Sequence, residues 1–152
     1  FVASFVMALG VEKKNHVYRF TRDLVQTLAR KGYYLLAISH SPKMVIDGFG
    51  KTLGFSKIYG TMYEVDAKGR FTGKVLHEEI VFDKAKILVR AMEKERLTLK
   101  GSIGVGDTES DIPFLKLVDR PICFNPNGKL FTYAKRKKWE VVVERKDVVY
   151  SL

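Results

Sequence analysis

Hydrophobic positions along the chain change their spacing several times. Leu24, Val25 and Leu28 recur at helical spacing, which predicts a helix. Thr21 precedes them as a candidate N-cap. The next segment, YYLLAI at 33–38, is a continuous apolar run of strand length, as is typical of a strand buried on both faces. The first third of the chain therefore predicts a helix followed by a buried strand.

The same alternation continues to the C-terminus. Ser41-Pro42 has the cap residue and first-turn proline that begin a helix. Two strand-like segments within 58–76 flank the turn-forming sequence DAKG, which predicts a hairpin or flap. Asp83 can cap a long helix with an apolar seam. Shorter segments predict strands at 102–105, 121–124 and 141–143, and helices at 112–118 and 129–138. This order predicts an α/β fold with a mostly parallel sheet.

Length and composition are those of one globular domain. The chain has 152 residues, of which 46% are hydrophobic, so it can bury a core. A single cysteine excludes a disulfide framework and a multi-cysteine zinc site, and it indicates a reducing, cytoplasmic location. The apolar segment 1–11 is about half as long as a bilayer-spanning helix requires, so no membrane span is expected.

The charge balance is basic. The chain has 27 Lys and Arg against 17 Asp and Glu, a formal net charge of +10. The densest run is KRKK at 135–138, followed by Trp139. Because the run is short and the other basic residues are dispersed, a solvated helix face is favoured over a nucleic-acid site. We therefore expect no nucleic-acid partner.

Polar groups follow two of the predicted strands. Ser39-His40-Ser41 comes after YYLLAI, and GDTESD at 106–111 comes after SIGV. Lys84 stands at the start of a predicted helix. Ligands of open parallel sheets bind beyond the carboxyl ends of the strands. A hydroxyl and helix amides can hold phosphate oxygens, a lysine can neutralise their charge, and carboxylates can hold Mg²⁺. These groups predict a site for a phosphate ester and a divalent cation.

Three of these segments together resemble a known family. LLAISHSP, DKAKIL and IGVGDTESDIPFL are similar to the second, third and fourth motifs of the haloacid dehalogenase superfamily, in the branch that includes phosphoserine phosphatases. GTMYEVDAKGRFTGKV resembles the flap of this branch, and FNPNGKL with AKRKKW resembles its C-terminal strand and helix. The resemblance implies a Rossmann-like three-layer sandwich and Mg²⁺-dependent hydrolysis of a small phosphorylated metabolite.

The resemblance also assigns the candidate site residues. It implies that Ser39 and Lys84 are catalytic and bind the phosphoryl group, and that His40 also binds phosphate. Asp107 and Asp111 are implied to be catalytic and to hold Mg²⁺.

Two of these assignments have neighbours as alternatives. Ser41 is the better helix cap, so the choice of Ser39 rests on the motif. Lys86 is the alternative to Lys84. Cys123 lies in an apolar segment and is expected to be buried filler rather than a nucleophile.

The first motif of the family, DxDx[TV], is absent, since no two aspartates in the chain are separated by one residue. The resemblance implies that its first aspartate attacks phosphorus to form an aspartyl phosphate and its second is the general acid and base. We therefore expect a fragment, with 1–20 as the remnant of a helical cap and 21–152 as a core that lacks its N-terminal strand. Such a chain would be inactive or nearly so, with a gap in its sheet.

An alternative is a degenerate, non-catalytic protein that binds a phosphorylated ligand. Phosphoserine is one candidate substrate among small phosphomonoesters, including phospholipid-derived ones, and the oligomeric state stays open.

Overall fold

Helices and strands alternate along the chain in the computed structural model, which describes residues 17–145 and 149–151. The helices are α1 (Arg19–Arg30), α2 (Lys43–Thr52), α3 (Glu78–Val81), α4 (Lys84–Glu95), α5 (Ile112–Leu115) and α6 (Gly128–Lys137). The strands are β1 (Leu36–Pro42), β2 (Lys57–Val65), β3 (Phe71–Leu76), β4 (Ile103–Gly106), β5 (Arg120–Phe124), β6 (Glu140–Glu144) and β7 (Val149–Ser151). This architecture confirms the predicted α/β fold. None of the described helices is long and apolar enough to cross a bilayer.

The strands form two hydrogen-bonded sheets rather than one. In the first sheet, in the order β1-β2-β3, β1 and β2 are parallel, with Leu36 opposite Lys57, and β3 is antiparallel to β2. In the second, in the order β4-β5-β6-β7, only the last pair is antiparallel. β1 and β4 are thus terminal strands, and each pairs on one side only within the described residues.

Both sheets share one hydrophobic core on each face. On one face, Leu36 and Ile38 of β1 lie in the same buried cluster as Leu88, Phe114 and Cys123 from the second half of the chain. The other face brings Ala37 of β1 together with Val25 of α1 and with Val105 and Ile122 of β4 and β5. The two sheets therefore form a single middle layer between α1 with α2 and α4 with α5 and α6. This is a three-layer sandwich whose middle layer is divided between β1 and β4.

Several predicted boundaries are confirmed and several shift. The hairpin β2–β3 turns at Asp66–Gly69, and the carboxylate of Asp83 accepts the amide of Lys86 as the cap of α4, as predicted. Helix α1, however, begins at Arg19. Thr21 is not its cap but is buried within the first turn, where its hydroxyl donates to the carbonyl of Tyr18.

The strand predicted at 33–38 instead runs from Leu36 to Pro42, so α2 begins after Pro42 rather than with Ser41 as its cap. The strand extends further because β2 pairs with it as far as Pro42. The short strand β7 was not predicted. The expected cap remnant at 1–20 lies mostly in residues 1–16, outside the described residues.

Candidate functional site

The start of α4 meets the loop after β4 and His40 of β1 at one edge of the sandwich. Asp107 follows β4 directly. Ser39 lies in the middle of β1, where it borders a small apolar cavity against α2, and no hydrogen bond joins it to Lys84 or Asp107 among the described residues. Ser39 is buried, and its Oγ accepts the amide of Ser41 at 3.1 Å. That bond uses a lone pair of the hydroxyl and leaves its proton available to a ligand. Ser41 is only half-buried, and it contributes its backbone amide rather than its hydroxyl to this hydrogen bond.

Lys84 and Asp111 form a buried ion pair at this edge. Lys84 Nζ lies 2.5 Å from Asp111 Oδ1, with the two side chains only 5% and 0% exposed. Lys86, by contrast, is exposed and pairs with Asp83 at 3.6 Å. The structure therefore turns Lys84 inward and Lys86 outward. A buried pair of this kind is costly to desolvate unless further hydrogen bonds satisfy its atoms.

Further hydrogen bonds do satisfy Asp111. Its Oδ2 accepts the amides of Asp107 at 2.8 Å and Thr108 at 3.2 Å, and it forms a capping box with Thr108. Gly106 makes this approach possible, because a Cβ on it would lie 2.6 Å from Asp111 Cβ. Asp111 thus fixes both the Lys84 ammonium and the loop that carries Asp107.

Asp107 is the member of the group whose carboxylate is incompletely bonded. Its Oδ1 is buried and has no hydrogen-bond partner among the described residues. Burial raises its pKa to about 6; the hydrogen bond and charge of Asp111 act in the same direction, and the charge of Lys84 acts against it. A raised pKa shows that the site lacks positive charge to stabilise the carboxylate. A bound cation would supply that charge and would satisfy the unpaired oxygen.

Asp107 Oδ1, which has no partner among the described residues, is the more open of the two carboxylates for Mg²⁺. Asp111 Oδ1 accepts one donor and its Oδ2 accepts two, which leaves a lone pair on Oδ1 for a cation or for a water bound to it. Among the described residues, no group of three or more His, Cys, Asp or Glu side chains could hold a metal. Mg²⁺ usually keeps several waters and binds through one or two carboxylates and substrate phosphates, so a single protein carboxylate here is compatible with it.

His40 stands at the rim of the site. Its ring packs edge to face on Phe82 at 5.7 Å, and its backbone carbonyl accepts the buried Thr61 hydroxyl at 2.7 Å. Burial and the charge of Lys84 lower the pKa of His40, and Asp111 opposes that shift. The surroundings of the ring therefore favour its neutral form.

Some residues that shape this edge were not identified from the sequence. Thr61 supports β1 from β2, and Gly106 leaves space for Asp111. Thr108 could have been found, because Thr-x-x-Asp is the spacing of a capping box. Cys123 is fully buried, and burial, followed by the charge of Asp111, raises its pKa to about 11, which agrees with a packing role.

Relatives of known name match most of the chain. A histidinol-phosphatase from Neisseria meningitidis serogroup C (strain 8013) is 29% identical over 131 residues, covering 84% of this chain and 59% of that protein. The phosphoserine phosphatase SerB1 of Mycobacterium tuberculosis (strain H37Rv) is 30% identical over 124 residues, covering 80% of this chain and 39% of that protein. The chain thus spans about three fifths or less of these relatives.

Solved structures share the fold. A Bordetella pertussis Tohama I protein of unknown function aligns with a TM-score of 0.72 at 23% identity, covering 84% of this chain and 59% of that one. A substrate-bound phosphoserine phosphatase aligns with a TM-score of 0.65 at 23% identity, covering 83% and 58%. The family model of haloacid dehalogenase-like hydrolases matches residues 4–116, more than half of the sequence. The chain belongs to the haloacid dehalogenase-like hydrolases.

Proposed function

We propose that this chain provides the phosphate-binding and cation-binding half of a Mg²⁺-dependent phosphomonoester hydrolase. The observation that supports this most directly is the buried, unpartnered Asp107 Oδ1 beside the buried Lys84–Asp111 pair. A structural role alone accounts for Asp111, which caps the loop. It does not account for a carboxylate oxygen held out of water with nothing to bind.

Each side chain has a role that follows from its contacts. Ser39 donates its hydroxyl proton to one phosphate oxygen. The Lys84 ammonium has three donors, of which Asp111 takes one, so the other two can face the phosphoryl group. Asp107 would hold Mg²⁺, which when bound would neutralise charge on the same group and supply Lewis-acid stabilisation of phosphate oxygens. Asp111 acts through Lys84 and Asp107 as a positioning residue, and His40 borders the site.

The nucleophile would come from a strand placed between β1 and β4. The two strands are terminal in their sheets yet share both core clusters, so one further strand between them would join the sheets. In that arrangement its first aspartate attacks phosphorus, the bond to the leaving alcohol breaks, and water later releases inorganic phosphate. A second aspartate protonates the alcohol and then takes a proton from that water.

The chain by itself is then inactive or nearly so. Removing the nucleophile from a set of cooperating residues can cost about six orders of magnitude in turnover. We place this core at 21–152, after a cap remnant at 1–20, in a cytoplasmic protein. Its substrate is a small phosphomonoester; phosphoserine is a candidate, since several relatives are named phosphoserine phosphatase.

Inorganic phosphate binding in the presence of MgCl₂, measured by calorimetry, tests this proposal with two matched pairs of variants. Ser39→Ala should weaken binding about tenfold, the loss of one hydrogen bond to a charged group, whereas Ser41→Ala should not. Lys84→Gln should weaken it more than Lys86→Gln. Circular dichroism checks that each variant is folded. Weaker binding in the Ser41 and Lys86 variants, with unchanged binding in the other two, would contradict the assignment.

A non-catalytic phospho-ligand-binding protein is the second candidate, and the absence of any Asp-x-Asp in the sequence favours it. Phosphate binding without hydrolysis of 4-nitrophenyl phosphate, in the longest natural form of the protein, would support this alternative. Hydrolysis that requires Asp107 would exclude it.

A further inference from the structure

The C-terminal end of α6 carries cations that form no ion pair with the described residues. The sequence of α6, GKLFTYAKRK, contains no acidic residue, and Lys138 and Trp139 follow it. Lys116 comes from the end of α5. None of the ion pairs among the described residues involves the cations of this surface. We call it the α6 patch; it consists of Lys116, Lys135, Arg136, Lys137, Lys138 and the rings of Phe131, Tyr133 and Trp139.

Aromatic rings hold several of these cations in place. Lys116 Nζ lies 5.6 Å and the Arg136 guanidinium 5.2 Å from the centre of the Tyr133 ring. Trp139 packs on Tyr133 edge to face at 5.1 Å, and Lys135 lies 5.8 Å from the Phe131 ring. These contacts orient the cations and at the same time occupy the ring faces.

The α6 patch lies at the edge of the sandwich opposite to the candidate site. It borders the start of β5 and β6, whereas Asp107 follows the carboxyl end of β4. An open groove of about 410 Å³ there is lined by Lys116, Arg120, Lys138 and Trp139 and also by the carboxylates Asp119 and Glu140. Leu117, next to Lys116, is 39% exposed. The patch therefore cannot serve the phosphate of the candidate site.

A purely local role accounts for only part of the α6 patch. Basic residues in the last turn of a helix interact favourably with its dipole, which is sufficient for the run at 135–137. It is not sufficient for Lys116, which follows α5. Trp139 is partly buried and packs against the core, so the feature that a local role leaves open is the gathering of Lys116 with the cations of α6 on one surface.

We propose that the α6 patch docks the protein onto an anionic lipid surface. Four consecutive cations at 135–138 are spread around the helix axis, about 100° apart while helical. They surround the end of the helix rather than forming a row, which suits a plane of mobile head groups more than a linear polymer. A single-stranded nucleic acid needs free ring faces for base stacking, and here cations cover the faces of Tyr133 and Phe131. Trp139 and Leu117 would lie at head-group level.

Vesicle sedimentation tests this with the full chain. Wild-type protein should bind phosphatidylcholine vesicles that contain phosphatidylserine, and high salt should release it from them. It should not bind vesicles of pure phosphatidylcholine. The triple variant Lys135→Gln/Arg136→Gln/Lys137→Gln should bind about a hundredfold more weakly, about fivefold per cation. The control Lys51→Gln/Lys57→Gln/Lys68→Gln removes three charges from the other half of the sandwich and should lose less than about fivefold by the same rule.

Trp139 provides a direct local readout, because it is the single tryptophan of the chain. Its emission should shift to the blue when anionic vesicles are added to the wild type or to the control variant. Circular dichroism confirms that both triple variants are folded. Equal binding by the two variants, equal binding to neutral vesicles, unchanged emission on binding, or displacement by a single-stranded oligonucleotide at micromolar concentration would each overturn the proposal.

Discussion

Replacing Asp107 by asparagine should stabilise the protein while removing its cation site. Asparagine has the same shape as the carboxyl group but carries no charge. The wild-type carboxylate is half-buried beside Asp111, and its Oδ1 has no partner in the described structure. The folded protein therefore holds an ion in a place that disfavours it.

The magnitude follows from the pKa of Asp107, which rises from its ordinary value of 3.8 to about 6. Each unit of pKa corresponds to about 1.4 kcal/mol, which gives about 3 kcal/mol as an upper value. Because the group is only partly withdrawn from water, we expect about 1–2 kcal/mol. The largest cause of the raised pKa is burial, followed by the interaction with Asp111. Asparagine occupies the same place without a charge, so it avoids both costs.

The sign of the pH dependence is fixed by the direction of this shift. A carboxyl whose pKa is raised on folding costs nothing well below its ordinary pKa of 3.8, where it is protonated in both states. The cost grows from there up to a pH of about 6 and is complete above that range. The stability advantage of Asp107→Asn over the wild type should therefore be near zero at about pH 3 and complete at pH 7.5.

Urea denaturation followed by circular dichroism, in dilute protein and without Mg²⁺, measures this difference. Adding MgCl₂ should stabilise the wild type at pH 7.5 and leave Asp107→Asn unchanged, because only the ionised carboxylate binds the metal. Asp66→Asn is a control of opposite sign, because hydrogen bonds from the Arg70 and Lys68 amides lower the pKa of Asp66. It should destabilise the protein at pH 7.5. A destabilised Asp107→Asn variant at pH 7.5, or one that Mg²⁺ still stabilises, would refute this reasoning.

Three further predictions follow from the packing. Gly106→Ala should lose about 1–3 kcal/mol of stability in urea titrations, because its Cβ would lie against Asp111, whereas Gly48→Ala, in open space on α2, should gain up to about 1 kcal/mol; equal effects would contradict the close approach. Glu144→Ala should cost about 1–3 kcal/mol, because the Glu144 carboxylate accepts the first two amides of α1 at 2.7 and 2.8 Å, and Glu140→Ala on the surface should cost less than about 1 kcal/mol; similar losses would refute the capping role. Sedimentation analysis should detect concentration-dependent association through the edges of β1 and β4 that are unpaired in the described part of the chain, and a monodisperse monomer at high concentration would count against this.

The parts of the fold that depend on neighbouring residues could be predicted. The cap of α4 is Asp83, three residues before the amide it accepts, and the hairpin turn is closed within Asp66–Gly69. Such contacts are visible in the sequence because both partners lie within one turn. Ser39 and Asp107 were located by the same means, since each directly follows an apolar run, although β1 continues past Ser39 to Pro42.

The parts of the fold that depend on contacts between distant residues could not be predicted from the sequence. Glu144 caps a helix that begins 125 positions earlier, and that bond explains why α1 starts before Thr21. The bond from Lys84 to Asp111 joins residues 27 positions apart. The sequence indicates two carboxylates for the metal, and the geometry adds that Asp111 also binds Lys84 and two backbone amides, whereas Asp107 Oδ1 has no partner among the described residues. The spacing of residues along the chain indicates which side chains belong to the site. It does not indicate which of their lone pairs accept hydrogen bonds from other groups in the folded protein.

The most direct test of the proposed site is to map where inorganic phosphate and Mg²⁺ bind on the full chain. Amide chemical shifts from ¹⁵N-labelled protein report each position separately during a titration. The account predicts that the amides around Ser39, Lys84 and Asp107 shift together and saturate at one concentration. Shifts confined to the α6 patch, or shifts at only one of these three positions, would contradict a joint phosphate and cation site.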